Sequence, residues 1–270
     1  MRISFTKMNG AGNDFILIDN RSLGLILQPQ QVAKLCDRHA GIGADGLMLL
    51  EENKNGSADW SWKFYNSDGS DAEMCGNGAR CFAAFTQQLT GKEGGLSFDT
   101  VAGVIHATFD QTSVTVNLTE PGNMDLNRVI HLSGKEVELH SVNTGVPHAV
   151  MFVEDADQCM VGDLGAEIRY HEHFSPKGTN VNFVEVLEPG KIRVRTYERG
   201  VEGETLACGT GVTAASLVAS KVHGFNSPVE VQVQSGDRLK VSFEKLEDGF
   251  SKVRLSGPAD FVFSGVIDLD

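Results

Sequence analysis

The feature that most limits what this chain can fold into is an internal duplication. A Cys-Gly-x-Gly element opens a run of small residues twice, as Cys75-Gly76-Asn77-Gly78 before ARCFAAFTQQL and as Cys208-Gly209-Thr210-Gly211 before VTAASLVASKV. Each run reads as a helix and leads into three alternating or β-branched segments. These are LSFDTV, VIHATF and SVTVNL in the first half and VEVQVQ, LKVSF and KVRLS in the second, with Gly103 and Gly236 at matching first turns. A strand also runs up to each cysteine, WSWKFYN before Cys75 and KIRVRTY before Cys208. The pattern predicts two copies of one mostly-β unit.

Further strands are expected at ISFTKM, FILIDN, LMLLEE and VNFVEVL, and a helix from Pro29 to Arg38 with proline in its first turn. TEPGNMDLN interrupts the pattern with Pro121, Gly122 and polar residues, which puts the seam there. The first domain is thus expected over 1–120 and the second over 121–259. VFSGVIDL is a strand left over after the second copy, and the segment 260–270 is expected to return to the first domain.

The 270 residues are enough for two cores, and 30 glycines imply many tight turns or close backbone approaches. A formal net charge of -13 with no Lys/Arg cluster argues against nucleic acid and favours a small zwitterionic partner. The start, MRISFTKMNGAGNDF, lacks the apolar core and cleavage site of a signal peptide, and no run is long enough to span a bilayer. A cytoplasmic protein with no membrane partner is expected. Five scattered cysteines suit a reducing compartment, and none has the Cys-x-x-Cys spacing of a zinc or redox site, so no metal is expected. Cys36, Cys81 and Cys159 read as small buried hydrophobes.

Cys75 and Cys208 differ because they occupy equivalent positions in the two copies. Inverting an α-carbon needs one group to remove a proton from one face and another to deliver a proton to the opposite face. A thiolate and a thiol do this symmetrically, exchanging roles when the other enantiomer binds. A cysteine before a helix sits in the positive end of the helix dipole, which lowers a thiol pKa from about 8.5. The glycine-rich first turn leaves backbone N–H groups to bind a carboxylate, where charge builds as the α-proton leaves. Such a cradle can stand in for an organic electron sink.

The blocks KMNGAGNDF, RHAGIGADG, FYNSDGSDAEMCGNGARC, TGVPHAV, TNVNFVEV and RTYERGVEGETLACGTG resemble those of the diaminopimelate epimerase family, in the family's order and over nearly the whole chain. The resemblance implies an α+β fold of two pseudo-symmetric domains, each a β-barrel-like antiparallel or mixed sheet around a central helix. It implies interconversion of LL- and meso-diaminopimelate in lysine and peptidoglycan synthesis, without cofactor or metal, by a homodimer. Cys75 and Cys208 match the acid/base pair, while Gly76, Asn77, Gly209 and Thr210 match the carboxylate cradle. Asn13, Asn66, Asn180, Glu198 and Arg199 match substrate-binding positions, and His148 and Glu198 match groups that tune the thiols.

A guanidinium forks onto a carboxylate, which makes Arg199 the candidate for the substrate's distal end. By their own surroundings, Asn66 in NSDG reads equally as a turn residue, and His148, after Pro147 between two strands, as a surface or core residue. Two positions depart from the family pattern. Val146 stands where many members carry Asn, and Gly46 where some carry Gln, leaving Asn143 or water to replace those contacts. A proline or hydroxyproline racemase using the same two thiols is the alternative enzyme, for which Arg199 has no purpose. A redox sensor with a switchable Cys75–Cys208 disulfide is the alternative of another class.

Overall fold

A computed structural model describes residues 1–72 and 74–269. In chain order its elements are β1 (Arg2–Gly10), β2 (Asn13–Asp19), α1 (Pro29–Cys36), β3 (Gly46–Glu52), β4 (Trp60–Asn66), α2 (Gly76–Thr90), β5 (Leu96–Thr100), β6 (Gly103–Asp110) and β7 (Ser113–Asn117). There follow β8 (Met124–Leu132), β9 (Lys135–Asn143), β10 (Pro147–Phe152), α3 (Val161–Arg169), β11 (Asn180–Glu188), β12 (Lys191–Glu198) and β13 (Gly203–Thr205). The chain ends with α4 (Gly209–Val222), β14 (Val229–Gln232), β15 (Arg238–Leu246), β16 (Gly249–Gly257) and β17 (Asp260–Asp268). The fold class is α+β.

The chain divides into two compact units, Met1–Val116 with Gly257–Asp270, and Asn117–Ser256. Both boundaries fall a few residues before those drawn from the sequence. Asp270, the last residue of the expected returning segment, lies outside the described residues.

Each unit repeats the same pairings. In the first, β17 pairs antiparallel with β1 and β1 with β2. Then β2 runs parallel to β3 across α1, β3 antiparallel to β4, β4 parallel to β5 across α2, and β5, β6 and β7 form an antiparallel meander. In the second, β8, β9 and β10 are antiparallel. There β10 runs parallel to β11 across α3, β11 antiparallel to β12, and β12 parallel to β14 across α4, before β15 and β16.

The long helix is central in both units. α2 packs against β1, β2, β3 and β6, and α4 against β9, β10, β11, β12, β14 and β15. A shorter helix covers the opposite sheet face. α1 lies over Ile16, Ile18, Leu47 and Leu49, and α3 over Ala149, Val181 and Phe183. The sheet is therefore buried on both faces, which explains why FILI and LMLL are continuous apolar runs rather than alternations.

Four strands, including the three-residue β13, and a helix had no clear signal in the sequence. β8 has a largely exposed face and a bulge between Asp125 and Arg128, with Asn127 at a φ of 56°, so alternation fails at the supposed seam. β9 and β10 follow it, and Pro147 and His148 open β10 rather than lying between strands. α3 carries two glycines and no side-chain N-cap, so it lacks the usual start signals. Gly165 is required there, since a Cβ would stand 2.5 Å from the Tyr197 side chain.

Candidate active site

Each cysteine is the N-cap residue of its central helix. Cys75 has extended backbone angles, its carbonyl accepts from Ala79 N at 2.8 Å, and its Sγ accepts from Gly78 N at 3.4 Å. Cys208 has the same backbone conformation and its carbonyl accepts from Val212 N at 2.8 Å. The next residues, Gly76-Asn77 and Gly209-Thr210, form first turns whose N–H groups have no partner within an α-helix. The fourth residue of the element is tightly confined in both. A Cβ on Gly78 would lie 2.3 Å from Met48 Cε, and one on Gly211 2.2 Å from Asn182 Oδ1.

In the first domain Cys75 Sγ donates to Asn13 Oδ1 at 3.4 Å. Asn13 is placed by a tight hairpin in which Ala11 and Gly12 both have positive φ, 63° and 90°, the geometry of a type I′ turn. Its other amide end donates to Asp45 Oδ2 at 2.6 Å, so the orientation of the amide is fixed. Arg38 forks onto Asp14 with two bonds of 2.9 Å and reaches Asp45 at 2.7 Å. Lys7, almost fully buried, pairs with Asp14 at 2.8 Å and donates to the Gly43 carbonyl. Burial alone would raise the Asp14 pKa, but Arg38 and Lys7 overturn that and hold it at about 2. The thiol thus faces an amide braced by a charged network.

In the second domain the side chains hydrogen-bonded in line from Cys208 are polar and uncharged. Cys208 Sγ lies 3.5 Å from Thr210 Oγ1, which is 2.9 Å from His148 Nε2. His148 is fully buried, and desolvation, followed by the nearby Arg199 charge, holds its pKa at about 3. His148 Nδ1 meets Asn182 Nδ2 at 3.1 Å, and Asn182 Oδ1 accepts from Thr196 Oγ1 at 3.0 Å. Thr144 Oγ1 ties the helix start back by donating to the Thr210 carbonyl at 2.9 Å.

The remaining candidates sit at strand ends. Asn180, buried at the start of β11, donates to the Pro147 carbonyl at 3.1 Å and accepts from Arg199 N at 2.9 Å. Its amide is therefore engaged in joining β10 to the end of β12. Glu198 closes β12 and Arg199 follows it, both half-buried. Asn66 ends β4, is exposed, and closes its own loop through Nδ2 to Ser70 Oγ at 3.0 Å, so its turn reading holds alongside any ligand role. Cys36 and Cys81 are buried, and desolvation pushes both thiols up to about 12, as inert core residues require.

The model of the family described as diaminopimelate epimerase matches residues 5–123 and 140–259. A diaminopimelate epimerase of Hydrogenobaculum sp. (strain Y04AAS1) is 44% identical, with 98% of each chain covered. The chain belongs to the diaminopimelate epimerase family. Among solved structures, a phenazine biosynthesis protein of the PhzF family from Bacillus anthracis aligns with a TM-score of 0.77 at 14% identity over 99% of each chain. A probable proline racemase from Agrobacterium radiobacter K84 aligns with a TM-score of 0.75 at 14% identity, over 99% of this chain and 93% of that one. Those two likenesses show a shared fold.

The two departures from the family pattern have different local meanings. At Gly46 a Cβ would stand 2.8 Å from both the Phe64 ring and the Tyr65 carbonyl, so the backbone here has closed over the space a side chain needs. Val146 is half-buried just before β10 and corresponds by register to Asn13 in the first domain. Asn143 does not simply replace it, because its Oδ1 already accepts from Gly145 N at 2.9 Å. Sequence reasoning passed over Lys7, Asp14, Arg38 and Asp45, and also Asn182 and Thr196. All lie in the quoted blocks KMNGAGNDF, RHAGIGADG, TNVNFVEV and RTYERGVEGETLACGTG, but nothing local distinguishes a bracing residue from a contacting one.

Proposed function

We propose that the protein interconverts LL- and meso-diaminopimelate with no cofactor, using Cys75 and Cys208 as a thiol and thiolate on opposite faces of one α-carbon. The observation that carries this reading is the duplicated helix N-cap cysteine in a chain of the diaminopimelate epimerase family. The thiolate takes the α-proton, the electron pair moves into the carboxylate, and the opposite thiol delivers its proton to the other face. The N–H groups of Gly76, Asn77, Gly209 and Thr210 hold that carboxylate as its charge grows, a task suited to helix N-termini.

Arg199 takes the distal carboxylate, with Asn13, Asn66, Asn180 and Glu198 completing recognition of the two amino-acid ends. His148 and Glu198 tune the thiols. The enzyme serves lysine and peptidoglycan synthesis in the cytoplasm; among the described residues no helix is long and apolar enough to cross a membrane. It works as a homodimer, a reading supported by the half-exposed Phe261, Val262, Phe263 and Val266 on β17.

Incubating LL-diaminopimelate with the enzyme in deuterated water, without additives, is expected to place solvent deuterium at one α-carbon of the meso product. Cys75→Ala and Cys208→Ala should each abolish interconversion while leaving the circular dichroism spectrum unchanged. Activity on proline but none on diaminopimelate would overturn the reading, as would turnover retained in both single variants.

A further inference from the structure

The two domains differ at three matched interior positions below the helix start. Phe15 lies opposite Gly46 as His148 lies opposite Asn180, and Met48 lies opposite Phe64 as Asn182 lies opposite Thr196. The first domain therefore fills these places with Phe15, Met48 and Phe64, and the second with His148, Asn182 and Thr196, all buried. Buried polar groups are costly unless every donor and acceptor is met. An apolar trio serves the same architecture, so the polar one calls for a chemical reason.

Its hydrogen bonds have a fixed direction. Asn182 Nδ2 donates to the Ala149 carbonyl at 2.9 Å, which can only accept, so the amide cannot be reversed. The second hydrogen on Nδ2 points to His148 Nδ1, 3.1 Å away, so Nδ1 is the unprotonated nitrogen. Because the buried ring is neutral, its proton is on Nε2 and is donated to Thr210 Oγ1 at 2.9 Å. Thr210 Oγ1, already accepting from Nε2, has its own hydrogen to direct, and Cys208 Sγ stands 3.5 Å away in position to take it. In the first domain the bond between side chains runs the opposite way, while Gly78 N also donates to Cys75 Sγ at 3.4 Å. Asn13 presents Oδ1, an acceptor, because Nδ2 is held by Asp45, and Cys75 donates to it.

We propose that Asn182 is a positioning residue for the reaction, fixing the proton of His148 on Nε2 so that the free enzyme rests with thiolate on Cys208 and thiol on Cys75. This rests on the two-thiol reading above and adds the resting proton inventory, which sequence reasoning left open. The three relay side chains between Cys208 and Thr196 are uncharged at neutral pH, and the charged group acting on the ring is Arg199. In its free form the enzyme is then set to deprotonate the substrate from the Cys208 side, and the enantiomer that presents its α-hydrogen to Cys75 must await transfer of the proton between the sulfurs.

The test reads the thiols separately from turnover. Each cysteine is alkylated with iodoacetamide over a range of pH, without substrate, and the modified peptides are counted by mass spectrometry. Half-maximal rate, which does not depend on access, should fall at lower pH for Cys208 than for Cys75. Asn182→Met copies the residue that the first domain packs against its equivalent glycine, so the fold has a precedent for it. In N182M the Cys208 rate at pH 7 should drop about tenfold, the scale of one hydrogen bond to a charged group, while Cys75 is unchanged. Asn182→Asp should not restore it, because a carboxylate at this place accepts from Nδ1 and reverses the relay.

The 15N spectrum of histidine-labelled, unaltered protein should show the His148 ring protonated at Nε2. An Nδ1-protonated ring, a lower half-maximal pH for Cys75, or an N182M profile like wild type for Cys208 would overturn the proposal. Absence of deuterium exchange into diaminopimelate would instead overturn the proposed function, whichever thiol alkylates first.

Discussion

Burying the His148 ring without charge makes the second domain sensitive to acid. Its pKa lies at about 3 against an ordinary 6.5, so between those values the unfolded chain binds a proton that the folded chain does not. Its contribution is complete above the unfolded value and is lost as pH falls toward 3, at about 1.4 kcal/mol per pH unit. Asp14, at about 2 against 3.8, adds a second loss that begins only below its unfolded value. Urea midpoints should therefore fall steadily from pH 6 to pH 4 in the wild type. In His148→Phe, which installs the first domain's residue, that slope should flatten while the loss due to Asp14 persists; an equally steep slope in H148F would refute the assignment. The N-cap position of Cys75 and Cys208 was legible from spacing alone because it depends on the residues that follow them in the chain. Asn182 and Thr196 were not, because they meet His148 only through the register of three strands.

The glycines that close each Cys-Gly-x-Gly element test how the helix start is seated on the sheet. A Cβ at Gly78 meets the end of a flexible Met48 side chain, whereas at Gly211 it meets the hydrogen-bonded amide of Asn182. Gly78→Ala is expected to cost about 1 kcal/mol by displacing the methionine, and Gly211→Ala about 3 kcal/mol with a larger fall in kcat, since the amide cannot move without breaking the relay. Thermal unfolding and steady-state rates on the two variants check the order, and equal losses would show that the relay is slack. The same contrast explains what the sequence disclosed at this scale. Helices α2 and α4 and the strands after them have strong local signals, small residues on all sides of the helix and alternation in the strands. β8, β9 and β10 pair with their neighbours in sequence but lose alternation at a bulge by Asn127, and α3 is seated by a glycine packed under the distant Tyr197, so these elements carried little local signal.

The second domain is continuous in the chain, while the first is completed by a strand from the far end. β8 and β9 are joined by a two-residue turn, Ser133-Gly134, with φ of 43° and 81°, and their counterparts in the first domain are β17 and β1. There the turn is replaced by the two termini, held by Met1 N donating to the Leu269 carbonyl at 2.8 Å and Leu269 N donating to the Met1 carbonyl at 2.7 Å. Nothing in the pairing depends on the chain being open at that place. A circular permutant that joins Asp270 to Met1 through a short glycine linker, with new ends between Glu120 and Pro121, should make both domains continuous and fold with a stability within about 1–2 kcal/mol of wild type, since exposed chain ends tolerate such relocation. Deleting residues 259–270 should instead strip β1 of one of its two partner strands and uncover its own apolar residues Ile3 and Phe5. Urea unfolding followed by hydrogen exchange distinguishes the two cases. Protection of β1 and β2 amides retained in the permutant and lost in the truncation would show that the first domain needs β17 as a partner and not the order in which the chain supplies it, whereas protection that survives truncation would mean that this domain closes without its eighth strand.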